Sequence, residues 1–119
     1  AGTACAAGED AEYLARVLWA GWRGRYDPRP VVAHHHGRRS RADLAAMLRG
    51  YDYGRGAYYG KFVLQQPTRA AYLRQWYFLL RGWDAHPVAI TQFARELVGA
   101  MRYVRARLSG AERTRSSRS

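Results

Sequence analysis

The chain has 119 residues, enough for a single domain with a modest core, and its formal net charge is +11. This charge favours anionic partners, namely nucleic acid, nucleotide diphosphates or an acidic membrane surface. The single cysteine, Cys5, excludes an internal disulfide framework and a metal site built from cysteines. No apolar run approaches the ~20 residues of a membrane-spanning helix, and no signal peptide is evident, so we expect a soluble or peripheral protein.

The amino-terminal part predicts a loop over residues 1–8 and a helix over residues 9–20. Apolar residues recur at helical spacing until Gly21, where the helix should end. Glu9 and Asp10 lie at the start of this helix, where negative charge interacts favourably with exposed backbone N–H groups, worth ~0.3–1 kcal/mol. One of these carboxylates could instead be a general base, because an ionised carboxylate can accept a proton from a hydroxyl.

A short apolar run then leads into a cluster of histidines and arginines. Val31-Val32-Ala33 predicts a brief strand, after which His34 and His36 would share one face. A neutral imidazole is a common ligand of divalent metals, although a surface histidine needs no such role. Arg38 and Arg39 follow directly, and a divalent cation beside guanidinium groups is a usual means of neutralising a departing phosphate. The cluster is therefore either a metal-diphosphate site or a solvated basic surface.

The rest of the chain predicts three helices and a tail. A capping box, Ser40-Arg41-Ala42-Asp43, opens the second helix. Closely spaced glycines follow, so we expect residues 51–61 to be a turn or a kinked connection. Pro67 and Pro87 mark the starts of two further helices. The polar and basic residues 109–119 predict a disordered tail.

Apolar stripes predict the buried faces of the last two helices. On the third helix the stripe comprises Tyr72, Trp76, Leu79, Leu80 and Trp83, and on the fourth it comprises Ile90, Phe93, Leu97, Met101, Val104 and Leu108. Arginines lie between the aromatic residues of the third helix. This arrangement is also compatible with a stacking platform for single-stranded nucleic acid or with a helix on a membrane surface.

Several short motifs occur in a distinctive order. They are Ala1-Gly2-Thr3, then Gly8-Glu9-Asp10-Ala11-Glu12-Tyr13-Leu14 with Arg16 and Gly21, then Tyr26-Asp27-Pro28, Val31-Val32-Ala33-His34-His35-His36-Gly37-Arg38 and Gly54-Arg55-Gly56-Ala57-Tyr58-Tyr59-Gly60-Lys61. This ordered set resembles the carboxy-terminal part of a family 2 glycosyltransferase with a GT-A fold. The resemblance is best over residues 1–61.

The resemblance implies an enzyme that transfers a sugar from a nucleotide-diphosphate donor to an acceptor hydroxyl, with inversion at the anomeric carbon. Asp10 would be the general base that removes the acceptor proton, and Glu9 would help to hold the acceptor or the loop. The acceptor would be a glycan or a lipid-linked acceptor in bacterial cell-surface polysaccharide synthesis. The implied location is cytoplasmic, with contact to the inner face of the membrane.

The resemblance also implies how the donor end of the site would be built. His34, or alternatively His36, would complete the coordination of a Mn2+ or Mg2+ ion. Arg38 or Arg39 would contact the diphosphate. A leaving diphosphate needs cations at one end of the site and a base at the other, so Asp10 and His34 would have to face a common cleft.

The implied fold class is α+β and predominantly helical. Residues 1–40 would end a GT-A-type α/β catalytic domain, residues 41–108 would form a helical region, and residues 109–119 the basic tail. The nucleotide-binding βαβ half and an Asp-x-Asp motif do not occur in these residues, so we expect a fragment of a longer protein that is inactive alone. The alternative hypothesis is a small basic helical module that binds nucleic acid.

Overall fold

Helices make up the regular structure of the described part of the chain. A computed structural model describes residues 8–33, 37, 40–82 and 88–116. These residues form four helices, α1 (Glu9–Trp19), α2 (Arg41–Val63), α3 (Gln66–Arg81) and α4 (Val88–Ser116). They contain no β-strand. The expected α+β class with a GT-A-type α/β domain is therefore wrong for these residues, because such a domain requires a central sheet.

The strand predicted at residues 31–33 is irregular, exposed backbone instead. Val31 and Val32 are 89% and 74% exposed, respectively. A β-branched run favours a strand only where a pleated, half-buried surface is available and where neighbouring backbone groups can pair with it. The described residues offer neither to this segment.

The first helix ends at the place that the sequence predicts. Gly21 has a φ of 93°, in the left-handed region that favours glycine. Its N–H donates to the carbonyl of Leu18 at 3.0 Å, and the N–H of Trp22 donates to the carbonyl of Val17 at 3.3 Å. This pair of bonds is a Schellman motif, which satisfies two carbonyls at the helix end.

The second helix begins with the predicted capping box but does not break where a turn was expected. The Ser40 hydroxyl accepts from the Asp43 N–H at 3.0 Å, and the Ser40 N–H donates to Asp43 Oδ2 at 3.3 Å. From there α2 runs without interruption to Val63. The prediction of a turn or kink over residues 51–61 is therefore wrong.

Gly56 of α2 and Gly99 of α4 permit a close crossing of these two helices. A Cβ added at Gly56 would lie 1.9 Å from the carbonyl oxygen of Glu96, and one added at Gly99 would lie 2.1 Å from that of Tyr53. Both distances are far shorter than a real carbon-oxygen contact, so only glycine permits this backbone approach. The α2–α4 crossing is thus the centre of the fold.

The buried face of α4 differs from the predicted apolar stripe. Ile90, Met101 and Leu108 are 47%, 63% and 61% exposed, so this part of the stripe is wrong as a core face. The face of α4 that packs inward carries mainly small residues, and its buried members are Ala89, Glu96, Gly99 and Ala100. Large side chains cannot enter so close a crossing, which explains why they lie outside it.

The third helix begins with Pro67 in its first turn, as predicted, and supplies aromatic side chains to the core. Tyr72 is buried and stacks on Phe62, with ring centroids 4.9 Å apart and an interplanar angle of 7°. Trp76 meets Phe93 edge to face at 6.0 Å. Tyr72 is therefore buried as predicted, whereas Trp76 is half-buried, Leu80 is 37% exposed and Trp83 lies outside the described residues.

The last helix is longer than the sequence pattern indicates. It continues to Ser116, so the prediction of a disordered tail is wrong for residues 109–116. The predicted start at Pro87 lies outside the described residues. None of the helices in the described ranges combines the length and the apolar content that crossing a bilayer requires.

Candidate functional site

The predicted catalytic carboxylates lie in an exposed acidic turn at the start of α1. Glu9, Asp10 and Glu12 all belong to the first turn of this helix. Glu9 and Asp10 are exposed, and Asp10 Oδ1 accepts a hydrogen bond from the Ala11 N–H at 2.8 Å. This arrangement serves the helix terminus electrostatically, and it also leaves the Asp10 carboxylate accessible to a substrate hydroxyl.

The acidic turn lies against the glycine-rich part of α2. A Cβ added at Gly8 would lie 3.7 Å from the carbonyl carbon of Gly54 and 3.9 Å from the Arg55 nitrogen. One turn further along α1 from Gly8, the Glu12 carboxylate accepts a hydrogen bond from the Lys61 ammonium of α2. Two stretches that are far apart in the sequence, residues 8–14 and 54–61, are therefore in contact at two points.

Glu96 is the most enclosed charged group in the described part of the chain. Its side chain is 1% exposed. Oε1 accepts from Arg55 Nε at 2.6 Å and from Gln92 Nε2 at 2.8 Å, while Oε2 accepts from Trp76 Nε1 at 2.8 Å. A buried carboxylate is tolerated only when it is paired and hydrogen-bonded in this way.

A second carboxylate extends this pair into a chain of four charges. Asp52 Oδ1 accepts from Arg55 at 2.7 Å, and its Oδ2 accepts from Arg95 Nε at 2.8 Å. The order is Arg95, Asp52, Arg55, Glu96, so positive and negative groups alternate and the sum is neutral. Among the described residues no buried side-chain nitrogen or oxygen lacks a partner. The network is complete, and it fixes the Arg55 side chain.

Burial and neighbouring groups together shift the pKa of Arg55 and of two adjacent tyrosines. Burial alone would lower the pKa of Arg55, but the hydrogen bond to Glu96 and the charges of Glu96 and Asp52 outweigh it, so its pKa is raised. Burial also raises the pKa of Tyr58, and the neighbouring Tyr59 adds to this effect. The pKa of Tyr59 is raised by burial too, although its hydrogen bond with Tyr58 opposes the change. At neutral pH the arginine is charged and both tyrosines are neutral.

A hollow of about 320 Å³ opens beside this network, and we call it the polar hollow. Its walls include Arg55, Tyr59, Gln75, Phe78 and Gln92. A second hollow of about 300 Å³ shares Tyr59 and Gln75 with it and extends towards α1. Amide groups, a guanidinium and aromatic rings around one concavity suit a ligand that has many hydroxyl groups and apolar ring faces.

The predicted metal ligands, His34 and His36, and the predicted diphosphate-binding arginines, Arg38 and Arg39, lie outside the described residues. Within the described residues no three side chains of His, Cys, Asp or Glu come together in a way that could hold a metal ion. The metal assignment and the common cleft of Asp10 and His34 both stay predictions.

The sequence interpretation missed the charge network, although it left a signal. Asp52 and Glu96 are each followed four residues later by a small residue, Gly56 and Ala100, respectively. Positions i and i+4 lie on the same helix face, so each carboxylate belongs to a face of small residues that another helix can approach closely. A carboxylate on such a face needs a cation, and Arg55 is the one that both carboxylates bind.

No protein-family model matches the chain, and no curated protein or solved structure matches it significantly. A functional assignment therefore rests on the ordered motifs and on the contacts between the elements that carry them.

Proposed function

We propose that this chain is the acceptor-side, carboxy-terminal part of an inverting glycosyltransferase. The enzyme would transfer a sugar from a nucleotide-diphosphate donor to the hydroxyl of a glycan or lipid-linked acceptor, at the cytoplasmic side of a bacterial membrane. One observation carries the proposal. Two of the stretches that carry the resemblance, residues 8–14 and 54–61, touch each other through the contacts of Gly8 with Gly54 and of Glu12 with Lys61.

Asp10 is proposed as the general base. It would take the proton of the acceptor hydroxyl as that oxygen attacks the anomeric carbon, so its carboxylate must be accessible and ionised. Both its exposure and its position at a helix start favour this role. Glu9, the neighbouring exposed carboxylate, would help to hold the acceptor by accepting hydrogen bonds from other hydroxyls.

Donor binding is proposed for residues near the predicted histidine cluster. His34 or His36 would hold a Mn2+ or Mg2+ ion, which when bound neutralises charge on the departing diphosphate. Arg38 or Arg39 would contact the diphosphate oxygens. The donor nucleotide itself would be held outside the helices described here.

The polar hollow is the proposed site for the body of the acceptor. Arg55 links it to the acidic turn, because its backbone lies beside Gly8 and its side chain lines the hollow. The Gln75 amide makes no hydrogen bond to the described residues, so it can donate to and accept from hydroxyl groups of the acceptor. Tyr59 and Phe78 offer ring surfaces to the apolar faces of a sugar.

The test is an assay of the intact protein, including any segments that precede or follow this chain in the natural product. Release of nucleoside diphosphate is measured from a panel of uridine, guanosine and thymidine diphosphate sugars, with Mn2+ or Mg2+ and a bacterial membrane extract as the acceptor source. Asp10→Asn should reduce transfer by about 10²–10⁴-fold, which is the usual contribution of a general base.

Glu9→Gln removes a carboxylate from the same helix turn but leaves the proposed base in place, so it should reduce transfer much less than Asp10→Asn does. If the two carboxylates serve only the helix terminus, both variants will lose little and the same amount, and the base assignment fails. A protein that transfers no sugar but binds DNA or RNA with a steep dependence on salt would support the alternative, a basic helical module for nucleic acid. The 119-residue chain by itself is expected to be inactive.

A further inference from the structure

An apolar groove of about 470 Å³ lies between the end of α2, Trp76 of α3 and residues 97–109 of α4. From α2 it is lined by Val63 and Leu64, and from α4 by a stripe that runs along one helix face. The residues of that stripe are Leu97, Met101, Val104 and Leu108. We call this feature the apolar groove.

The groove exposes apolar surface that water hydrates poorly. Met101 and Leu108 are 63% and 61% exposed, and Leu64 is 48% exposed. The volume falls within the roughly 300–1,000 Å³ typical of ligand pockets, so it has room for a small molecule. From Leu97 to Leu108 the groove follows three turns of α4, a length of ~16 Å. An elongated apolar ligand would match this shape.

The charged residue that lines the groove is positive. Arg105 is one of the lining residues, and it makes no hydrogen bond or ion pair with the described residues. Between Glu96 and Glu112 the chain contains three arginines, at positions 102, 105 and 107, and no acidic residue. An anionic group on the ligand would therefore be attracted to this arginine-containing part of α4, and a cationic group would be repelled by it.

We propose that the apolar groove binds one alkyl chain of an anionic amphiphile, with the phosphate or carboxylate head group at Arg105. A second copy of the protein is a poorer occupant, because a two-fold contact would bring the arginines of both copies onto the same interface. The proposal goes beyond the transferase function and does not depend on it, since binding is measured without turnover.

Binding of dodecyl phosphate to the intact protein, below the micelle concentration of this probe, provides the test. Calorimetry should show that dodecyl phosphate binds at least about tenfold more tightly than dodecyltrimethylammonium, whose head group is cationic. Met101→Glu and Leu108→Glu, at exposed groove positions, should each weaken the binding of dodecyl phosphate by about tenfold or more. Two variants are used so that the misfolding of one leaves the other informative.

Two further variants distinguish binding of the alkyl chain from binding of the head group. Arg105→Glu should abolish the preference for the phosphate probe over the ammonium probe. Ile90→Glu is the control, because Ile90 is a similarly exposed residue of α4 that does not line the groove, and it should leave both affinities unchanged.

Three results would overturn the proposal. One is equal affinity for the two probes in the unmodified protein. Another is dimerisation in sedimentation experiments that Met101→Glu abolishes, which would mean that a second copy covers the groove. The last is binding to anionic phospholipid vesicles without any binding of monomeric dodecyl phosphate, which would mean that this face meets a membrane surface instead.

Discussion

Glu96 and Arg55 form an ion pair inside the crossing of α2 and α4, with Oε1 2.6 Å from Nε. The glutamate side chain is 1% exposed, whereas 32% of the arginine side chain reaches solvent. Because Glu96 also accepts from Trp76 and Gln92, this one carboxylate connects α2, α3 and α4. The stability of the fold should therefore depend on it more than on any exposed ion pair.

Replacement of this carboxylate is the first prediction. Glu96→Ala should lower the free energy of unfolding by about 3 kcal/mol, because Arg55 Nε and the Trp76 N–H lose their buried acceptor, although Arg55 keeps its bond to Asp52. Urea denaturation measures the change. Asp27→Ala, which removes an exposed ion pair with Arg29, is the control and should leave the denaturation midpoint unchanged. Equal effects of the two substitutions would contradict the structural role of Glu96.

Because the helices approach so closely, alanine substitutions at two glycines of α2 should change the stability in opposite directions. Gly56→Ala should destabilise the protein by about 1–3 kcal/mol or more, because the added carbon would collide with the Glu96 carbonyl. Gly50→Ala meets nothing within 4 Å and should instead stabilise α2 by about 0.5–1 kcal/mol. Thermal unfolding of both variants, followed by circular dichroism, checks the sign. A stabilising Gly56→Ala would rule out the observed crossing.

The half-buried Tyr58 and Tyr59 should lower the stability of the fold at high pH. Burial raises the pKa of Tyr58 in the folded state above its value of about 10 in an unfolded chain. The unfolded state therefore loses its proton first, so the stabilisation is complete below about pH 10 and declines as the pH rises further. Urea denaturation at increasing pH should show this decline.

Substitutions by phenylalanine show which tyrosine causes the decline in stability. Tyr58→Phe should make the decline shallower, because the phenyl ring has no proton to lose, while Tyr59 retains its own contribution. Tyr26→Phe, at an 87% exposed position, should leave the slope as it is. A slope that changes in Tyr26→Phe and not in Tyr58→Phe would contradict the partial burial of Tyr58.

The capping box provides a local prediction. Ser40→Ala removes the hydroxyl that accepts from the Asp43 N–H and should cost about 1 kcal/mol of unfolding free energy. Ser40→Asp retains an acceptor and should restore most of it. Chemical denaturation of the two variants distinguishes a capping role from a general effect of substitution at this site. If both variants are equally destabilised, the hydroxyl is not the stabilising group.

Local signals at helix ends were sufficient to predict much of the helical architecture. The capping box at Ser40, the stop at Gly21 and the start at Pro67 each act within a few residues, so they are visible in the sequence alone. The strand at residues 31–33 was wrong because a strand depends on distant partners. The break within residues 51–61 was wrong because glycine disfavours a helix locally, whereas here α4 packs against these glycines.

The candidate site was predictable only in part, for a related reason. Glu9 and Asp10 are marked by their position before a helical pattern, and the structure has them exposed there. The pairing of Arg55 with Glu96 joins residues 41 positions apart, and no local rule connects them. Their side chains meet only because small residues on both helices let the backbones approach.

The crossing of α2 and α4 constrains how the coding sequence of this region can change in length. One inserted residue between Asp52 and Gly60 would rotate everything after it by about 100° around the helix axis. The glycine contacts and the carboxylate-arginine chain occupy the same few turns, so a single such event would disrupt both at once. Substitutions should therefore accumulate on the outer faces of these helices, whereas insertions and deletions should be confined to the connecting segments.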